Sequence, residues 1–256
     1  MSDTRGRHGA PSRADGFDTG PRRGHGIGMS APVVRFLFDF ISPYAYLGWK
    51  EIHRVVAPFG AEVEIVPVLF AALLDAHGQK GPAEIGPKRA YLFKDVYRRA
   101  HALGLTVQPP PTHPFNPLLA LRAASLPMDS DARRRLVDAL FAAAWGGGGG
   151  VEDPAAVAAC AREAGLDGDA IVHQAGTPEA KARLRAQTEE ALRAGVFGVP
   201  TMLVSGELFW GSDSLGHLEA FLRGEDPLAS VGKEALARWE AIAPSAMRRA
   251  VRAPGS

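Results

Sequence analysis

The sequence predicts an α/β fold in which a βαβ unit and a ββα unit are separated by a large α-helical insertion. Three observations carry this. The run VVRFLFDFI from Val33 is β-branched and aromatic, a short apolar stretch of the kind that forms a strand buried on both faces. Residues from about 71 to 195 are rich in Ala, Leu, Arg and Glu at helical spacing, broken by QPPPTHPFNP, by a glycine run and by short Gly or Pro stops. After Gly195 the β pattern returns in VFGVPTMLVSGELFWGSDSL.

Residues 1–31 hold almost no large apolar side chains, cannot offset the entropy of ordering, and are expected to be a disordered leader. Met29, just ahead of the first strand, is a candidate start of translation. After that strand, Ser42-Pro43 opens YAYLGWKEIHRVVAPFG as a helix, with Ser42 as N-cap and Pro43 at the first helical position. AEVEIVPVLF is a second strand, making a parallel pair with a right-handed crossover. In the insertion, the run Gly146–Gly150 is expected to be a flexible loop; no Lys-Ser/Thr follows it, so it is not a phosphate cradle. Asp153 and Pro154 mark the next helix. Thr201–Val204 and Glu207–Trp210 form a hairpin across Ser205-Gly206, and Ser212, Asp213 or Ser214 caps a last core helix. Together these make a thioredoxin-like domain (32–70 and 196–226) interrupted by a helical domain (71–195), with a helical extension or tail over 227–256.

Composition narrows the function. Lys and Arg number 29 against 28 Asp and Glu, so nothing argues for nucleic acid or an anionic membrane surface as a partner. No stretch approaches the roughly 20 apolar residues of a membrane span, and the N-terminus lacks the apolar region of a secretory signal. A cytoplasmic location is expected. One cysteine, Cys160, excludes an internal disulfide, a CxxC pair and a multi-thiolate zinc site. It sits in an Ala-rich helical pattern and reads as a small buried hydrophobe. The histidines show no HxxxH or HxH pair, so no metal site is expected.

Three places bear on chemistry. Ser42 lies where the first strand meets the first helix, where free N–H groups and the helix dipole favour an anion such as a thiolate. It is the candidate catalytic residue, and a plain N-cap is the competing reading. Val199-Pro200 precedes the hairpin at the place where thioredoxin-like folds carry a cis-proline facing the first helix. Pro200 has no N–H, which leaves the Val199 backbone to pair with an extended peptide. Ser212 and Asp213, at a helix start, suit the carboxylate and the ammonium of an amino-acid end; simple capping competes with that. Together the three describe a glutathione pocket.

FLFDFISPYAYLGWKEI, PKRAYLFKDVYRRAHALGL and GVFGVPTMLVSGELFWGSDSL, in this order, resemble 2-hydroxychromene-2-carboxylate isomerases and the related kappa-class glutathione transferases across residues 33–223. The resemblance implies a DsbA-like thioredoxin fold with helical insertion, bound glutathione as cofactor, a small aromatic substrate and a homodimer. It implies that Ser42 donates to the glutathione sulfur, that Val199 beside Pro200 pairs with the cysteinyl unit, and that Ser212 and Asp213 hold the γ-glutamyl end. The activity implied is cis–trans isomerisation by reversible thiolate addition to a conjugated carbon. A kappa-like transferase and a non-catalytic thioredoxin-like binding module are the alternatives.

The chain departs from the pattern in LLDAHGQK, where relatives commonly carry Lys and Asn and this chain has Asp75 and Gln79, and at Ser214, where they carry arginine. Gln79 is a candidate for the substrate side, with Asn116 in HPFNP and Tyr44 after Ser42. His77, Lys80 and Lys88 are candidates to supply positive charge, against a reading as solvated surface. Of Tyr44, Tyr46 and Trp49, at least one is expected in the core and another at the substrate. Tyr91, Lys94 and Asp95 are expected on a helix surface.

Overall fold

A computed structural model describes residues 31–245. The expectations for the leader up to residue 30 and for the tail beyond 245 lie outside the described residues. The four strands β1 (Val33–Phe38), β2 (Glu62–Pro67), β3 (Thr201–Val204) and β4 (Glu207–Trp210) form one sheet in the order β2-β1-β3-β4. β1 runs parallel to β2 and antiparallel to β3, which pairs antiparallel with β4. The central place of β1 explains its continuous apolar run, since it must satisfy a core on each face. Val34, Phe36 and Phe38 point into the larger core, whereas Leu37 joins Val66, Val68 and Leu73 in a second one. Arg35, on the Leu37 face, reaches Glu64 at 3.0 Å and Glu190 at 2.8 Å.

Helix α1 (Pro43–Val56) follows β1, and α2 (Phe70–Ala76) follows β2. Six helices then lead to β3: α3 (Gly86–Ala102), α4 (Leu118–Ser125), α5 (Ser130–Trp145), α6 (Pro154–Glu163), α7 (Gly168–Ala175) and α8 (Pro178–Arg193). After β4 come α9 (Leu215–Arg223) and the exposed α10 (Lys233–Glu240). The chain is therefore a DsbA-like thioredoxin fold with its helices inserted between β2 and β3. Rings join the sheet to the inserted helices: Phe40 lies 4.8 Å from Phe141 and Trp49 6.2 Å from it, between ring centroids. Two indoles complete the junction, Trp49 Nε1 donating to Asp138 at 2.7 Å and Trp145 Nε1 to the Phe40 carbonyl at 2.7 Å. Each ring thus buries its surface and still satisfies its N–H.

Two local expectations gain detail. The glycine run is a loop, as expected, and it folds back on the end of α5: Gly146 N donates to the Ala142 carbonyl at 2.8 Å and Gly150 N to that of Ala143 at 2.9 Å. A Cβ on Gly148 would stand 2.5 Å from the Ala143 Cα, too close for any side chain. The start of the last core helix differs. Ser212–Ser214 is a 3-10 turn, and α9 begins at Leu215 with Ser214 in the N-cap position; none of the three accepts a capping bond through its side chain. The Ser214 hydroxyl instead donates back to the Trp210 carbonyl. Close backbone approach and hydroxyl direction are tertiary facts, which composition does not encode.

Asp39, just past β1, is a charged residue type 1% exposed. Its carboxylate accepts from the Ile41 N–H at 3.0 Å and the Phe70 N–H at 2.9 Å, tying the approach to α1 to the first residue of α2. Burial pushes its pKa up to about 7, against the lowering effect of both backbone bonds.

Gly148→Ala is expected to lower the unfolding free energy by about 1–3 kcal/mol through overpacking, read from the urea midpoint; an unchanged midpoint would contradict the close approach. Asp39 has a second signature. From about pH 4 to about 7 the folded chain holds a proton that the unfolded chain has released, so this group's contribution to stability falls as pH rises through that window. The fall is about 4 kcal/mol at most. Asp39→Asn should lose this slope, so that the stability difference between variant and parent moves in favour of the variant from pH 4 to 8. A difference independent of pH would show that Asp39 ionises normally.

Candidate functional site

The serine before Pro43 forms the site's floor. Ser42 caps α1, its Oγ accepting from Ala45 N at 3.1 Å, with Pro43 supplying the first helical position without an unpaired N–H. The same Oγ faces the Val199 carbonyl at 3.5 Å, across 157 residues of sequence. The Val199-Pro200 peptide bond is cis. Pro200 packs on α1 where Gly48 leaves room: a Cβ there would lie 3.3 Å from the Pro200 Cγ. Among the described residues no hydrogen bond engages the Val199 N–H. Gly198 is required by its neighbour, since a Cβ on it would come within 2.6 Å of Trp210 Nε1.

Ser42 and Val199 open on a cavity of about 710 Å³. It also takes in Tyr44, Gln79 and Asn116, so these five sequence candidates share one space, whereas Pro200, Ser212 and Asp213 lie outside its wall. Much of the rest of the wall is apolar, with Leu69, Phe70, Leu92 and Phe197 contributing. Lys80 and Lys88 reach it from an exposed segment; His77 does not, and its Nε2 stands 3.4 Å from the Val196 carbonyl. Asn116 shapes the approach to α4, its Oδ1 accepting from Leu118 N at 3.1 Å.

Tyr44 links the cavity to the Asp213 side. Its hydroxyl donates to Asp95 at 2.8 Å, and burial together with that bond pushes the phenol pKa up. Arg99 Nε donates to the same carboxylate at 2.7 Å, its guanidinium sits 5.6 Å over the Tyr44 ring, and it reaches Asp213 at 3.8 Å. Burial alone would raise the Asp95 pKa; the Tyr44 and Arg99 bonds outweigh it and hold the carboxylate low. Tyr46 and Trp49 are core residues, 4% and 1% exposed. Asp95 is therefore a linking residue at the site, while Tyr91 and Lys94 are exposed on α3.

Cys160 is buried, its thiol pKa raised by burial, with Sγ 3.7 Å from the Ala139 carbonyl and no part in the cavity wall. Among the described residues no three His, Cys, Asp or Glu side chains are grouped to hold a metal, and no helix is long and apolar enough to cross a membrane. Sequence reasoning passed over Asp39, His113, Arg99 and Trp210. Asp39 had a readable signal, an acid inside an apolar run; His113 was masked by the prolines around it, and Arg99 by its place on a basic helix face.

A profile of DSBA-like thioredoxin domains matches residues 33–223. The 2-hydroxychromene-2-carboxylate isomerase of Sphingobium xenophagum is 30% identical over 192 residues, which cover 74% of this chain and 97% of that protein. Human glutathione S-transferase kappa 1 is 24% identical over 78% of this chain and 94% of its own length. A solved structure of a 2-hydroxychromene-2-carboxylate isomerase superposes with a TM-score of 0.68 at 28% identity, covering 78% of this chain and all of that one. The chain belongs to the DSBA-like thioredoxin family and within it to the family of the 2-hydroxychromene-2-carboxylate isomerases, with similarity to the kappa-class glutathione transferases.

Proposed function

We propose that this chain is a glutathione-dependent cis–trans isomerase acting on a small conjugated aromatic acid of the 2-hydroxychromene-2-carboxylate kind. The observation that carries the reading is the meeting of Ser42 Oγ with the Val199 carbonyl at the floor of a largely apolar cavity. The residues fit glutathione. The Val199 N–H has no partner among the described residues and can pair with an extended peptide. Ser42 is placed to donate to a sulfur beside the N-terminus of α1, where the helix favours the thiolate. Asp213 suits the ammonium of the γ-glutamyl end. Arg99, 3.8 Å from Asp213, suits the adjoining carboxylate and brings positive charge to the place where Ser214 stands instead of an arginine.

Bound glutathione would supply a thiolate that adds reversibly to a conjugated carbon and is regenerated unchanged. The chain contributes orientation and exclusion of water. Ser42 stabilises the anion by one hydrogen bond, Phe70, Leu92 and Phe197 take the aromatic face, and Lys80 and Lys88 attract the substrate carboxylate to the mouth.

Spectrophotometry with 2-hydroxychromene-2-carboxylate tests the reading. Loss of substrate that requires glutathione but does not consume it is expected. Accumulation of a conjugate with electrophiles, without isomerisation, would make the protein a transferase; failure to bind immobilised glutathione would leave only a binding module. Ser42→Ala should raise the pKa of the bound thiol, seen as thiolate absorbance against pH, and slow turnover at least tenfold. The lost cap should lower stability by ~0.5–2 kcal/mol. Asp213→Ala should weaken glutathione binding about tenfold in calorimetry, near 1.4 kcal/mol, and an unchanged affinity would remove it from the γ-glutamyl site.

A further inference from the structure

His113 lines the same cavity as Ser42. Its imidazole is wedged edge-on among three rings, with centroids 5.5 Å from Phe93, 6.1 Å from Phe115 and 5.4 Å from Trp145. Nδ1 is buried and has no hydrogen-bond partner among the described residues. Nε2 also makes no hydrogen bond among the described residues but is not fully buried as Nδ1 is, which makes it the nitrogen available to the cavity that His113 lines. Burial first, and the charge of Arg89 second, push the pKa down to about 4, so the ring is neutral near pH 7 and bears a single N–H. A proton on Nδ1 would be a buried donor without an acceptor, at a cost of ~1–3 kcal/mol. On Nε2 the same proton is offered to the cavity.

The backbone around the ring is held on both sides by one carboxylate. Glu152 accepts from the Thr112 hydroxyl at 2.8 Å and from the Asn116 N–H at 2.9 Å, and those bonds hold its own pKa low. The loop is thereby fastened to the segment that leads into α6, and His113 stands between its two anchors. A preset donor of this kind needs no reorganisation when charge develops in front of it.

We propose that His113 donates a hydrogen bond through Nε2–H to the carbonyl oxygen of the aromatic substrate, and so selects compounds whose reacting double bond is conjugated to such an oxygen. The proposal rests on the isomerase reading above. When a nucleophile bonds to the conjugated carbon, the π electron pair moves onto that oxygen; when it leaves, the pair returns. His113 keeps its proton throughout, because a neutral imidazole N–H is far too weak an acid to give it up. The bond strengthens as the oxygen gains charge, within a wall that is mostly apolar.

Two measurements on the full chain test this, each against His113→Phe and the conservative His113→Gln. In the first, nitrogen-15 NMR of histidine-labelled protein without glutathione follows titration with salicylaldehyde and with 2-ethylphenol, which lacks the carbonyl. The His113 Nε2–H resonance should move with the aldehyde only, and no movement, or the same movement with both, overturns the proposal. In the second, His113→Phe should lower kcat for isomerisation by about 10²-fold, with an unchanged KM for glutathione and unchanged pKa of the bound thiol. His113→Gln should recover part of the loss, and a kcat for His113→Phe within threefold of the parent overturns the proposal. If the parent shows no isomerase activity, the functional reading fails, and the NMR titration still decides the role of His113. If His113→Phe does not fold, His113→Gln and the titration decide it.

Discussion

The site depends on a carboxylate buried beneath it. Asp39 takes the N–H groups of Ile41 and Phe70 on its two oxygens, and so sets both the approach of the chain to α1 and the first turn of α2. The cavity opens between those segments. Ser42 is fixed by the same turn, since its N–H donates to the Asp39 carbonyl at 3.1 Å. Among the described residues the acid has only backbone donors to compensate for leaving water, and burial outweighs them, so it remains protonated up to about neutrality. A permanent negative charge three residues from Ser42 would oppose a thiolate at the start of α1. The protonated acid keeps the structural bracket without that repulsion.

Ser42 in turn is held loosely enough to change partner. Its bond from Ala45 N is an ordinary cap at 3.1 Å, whereas its donation to Val199 spans 3.5 Å, at the outer limit of a hydrogen bond. Redirecting the hydroxyl proton to an incoming sulfur would therefore sacrifice little, and it would free the Val199 carbonyl for the peptide that carries the sulfur. A cysteine at this position would itself be the nucleophile. With serine there, and with Cys160 buried among helices away from the cavity wall, the thiolate of the proposed function would have to come from a bound molecule.

The sheet and the serine cap were legible because both are local patterns. β3 and β4 fall at the residues that the returning β pattern and the Ser205-Gly206 turn predict, and Ser42-Pro43 opens α1 as its spacing requires. The meeting of Ser42 with Val199 was legible only through the order of motifs, since no local pattern links residues 157 apart. What escaped depends on how side chains fall together in space. The five glycines announced freedom, and Gly147, Gly149 and Gly150 use it at positive φ, whereas Gly146 and Gly148 also lie in close contact with α5. Asp95 and Arg99 looked like the polar face of a helix and instead connect Tyr44 to Asp213. His113 sat in a proline-rich break that reads as loop, with nothing to reveal that three rings would enclose it.

The distribution of charge around the cavity follows from these particulars and bears on selectivity. The polar groups at and below its floor include a hydroxyl, a carboxyl with its pKa near 7 and a neutral imidazole; the charged side chains Lys80, Glu84 and Lys88, with one positive charge in excess, stand on an exposed segment of the wall. An overall charge near zero hides this arrangement. Under the proposed function, a substrate anion would be attracted at the mouth by the two lysines, where water screens them and the carboxylate keeps part of its hydration. Its conjugated part would meet the Ser42 hydroxyl and the His113 imidazole rather than a lysine of the wall. Charge appearing there during reaction would meet preset dipoles of moderate strength. That balance would suit an addition that must reverse, because a buried cation in the same place would stabilise the charged species too well for the electron pair to return.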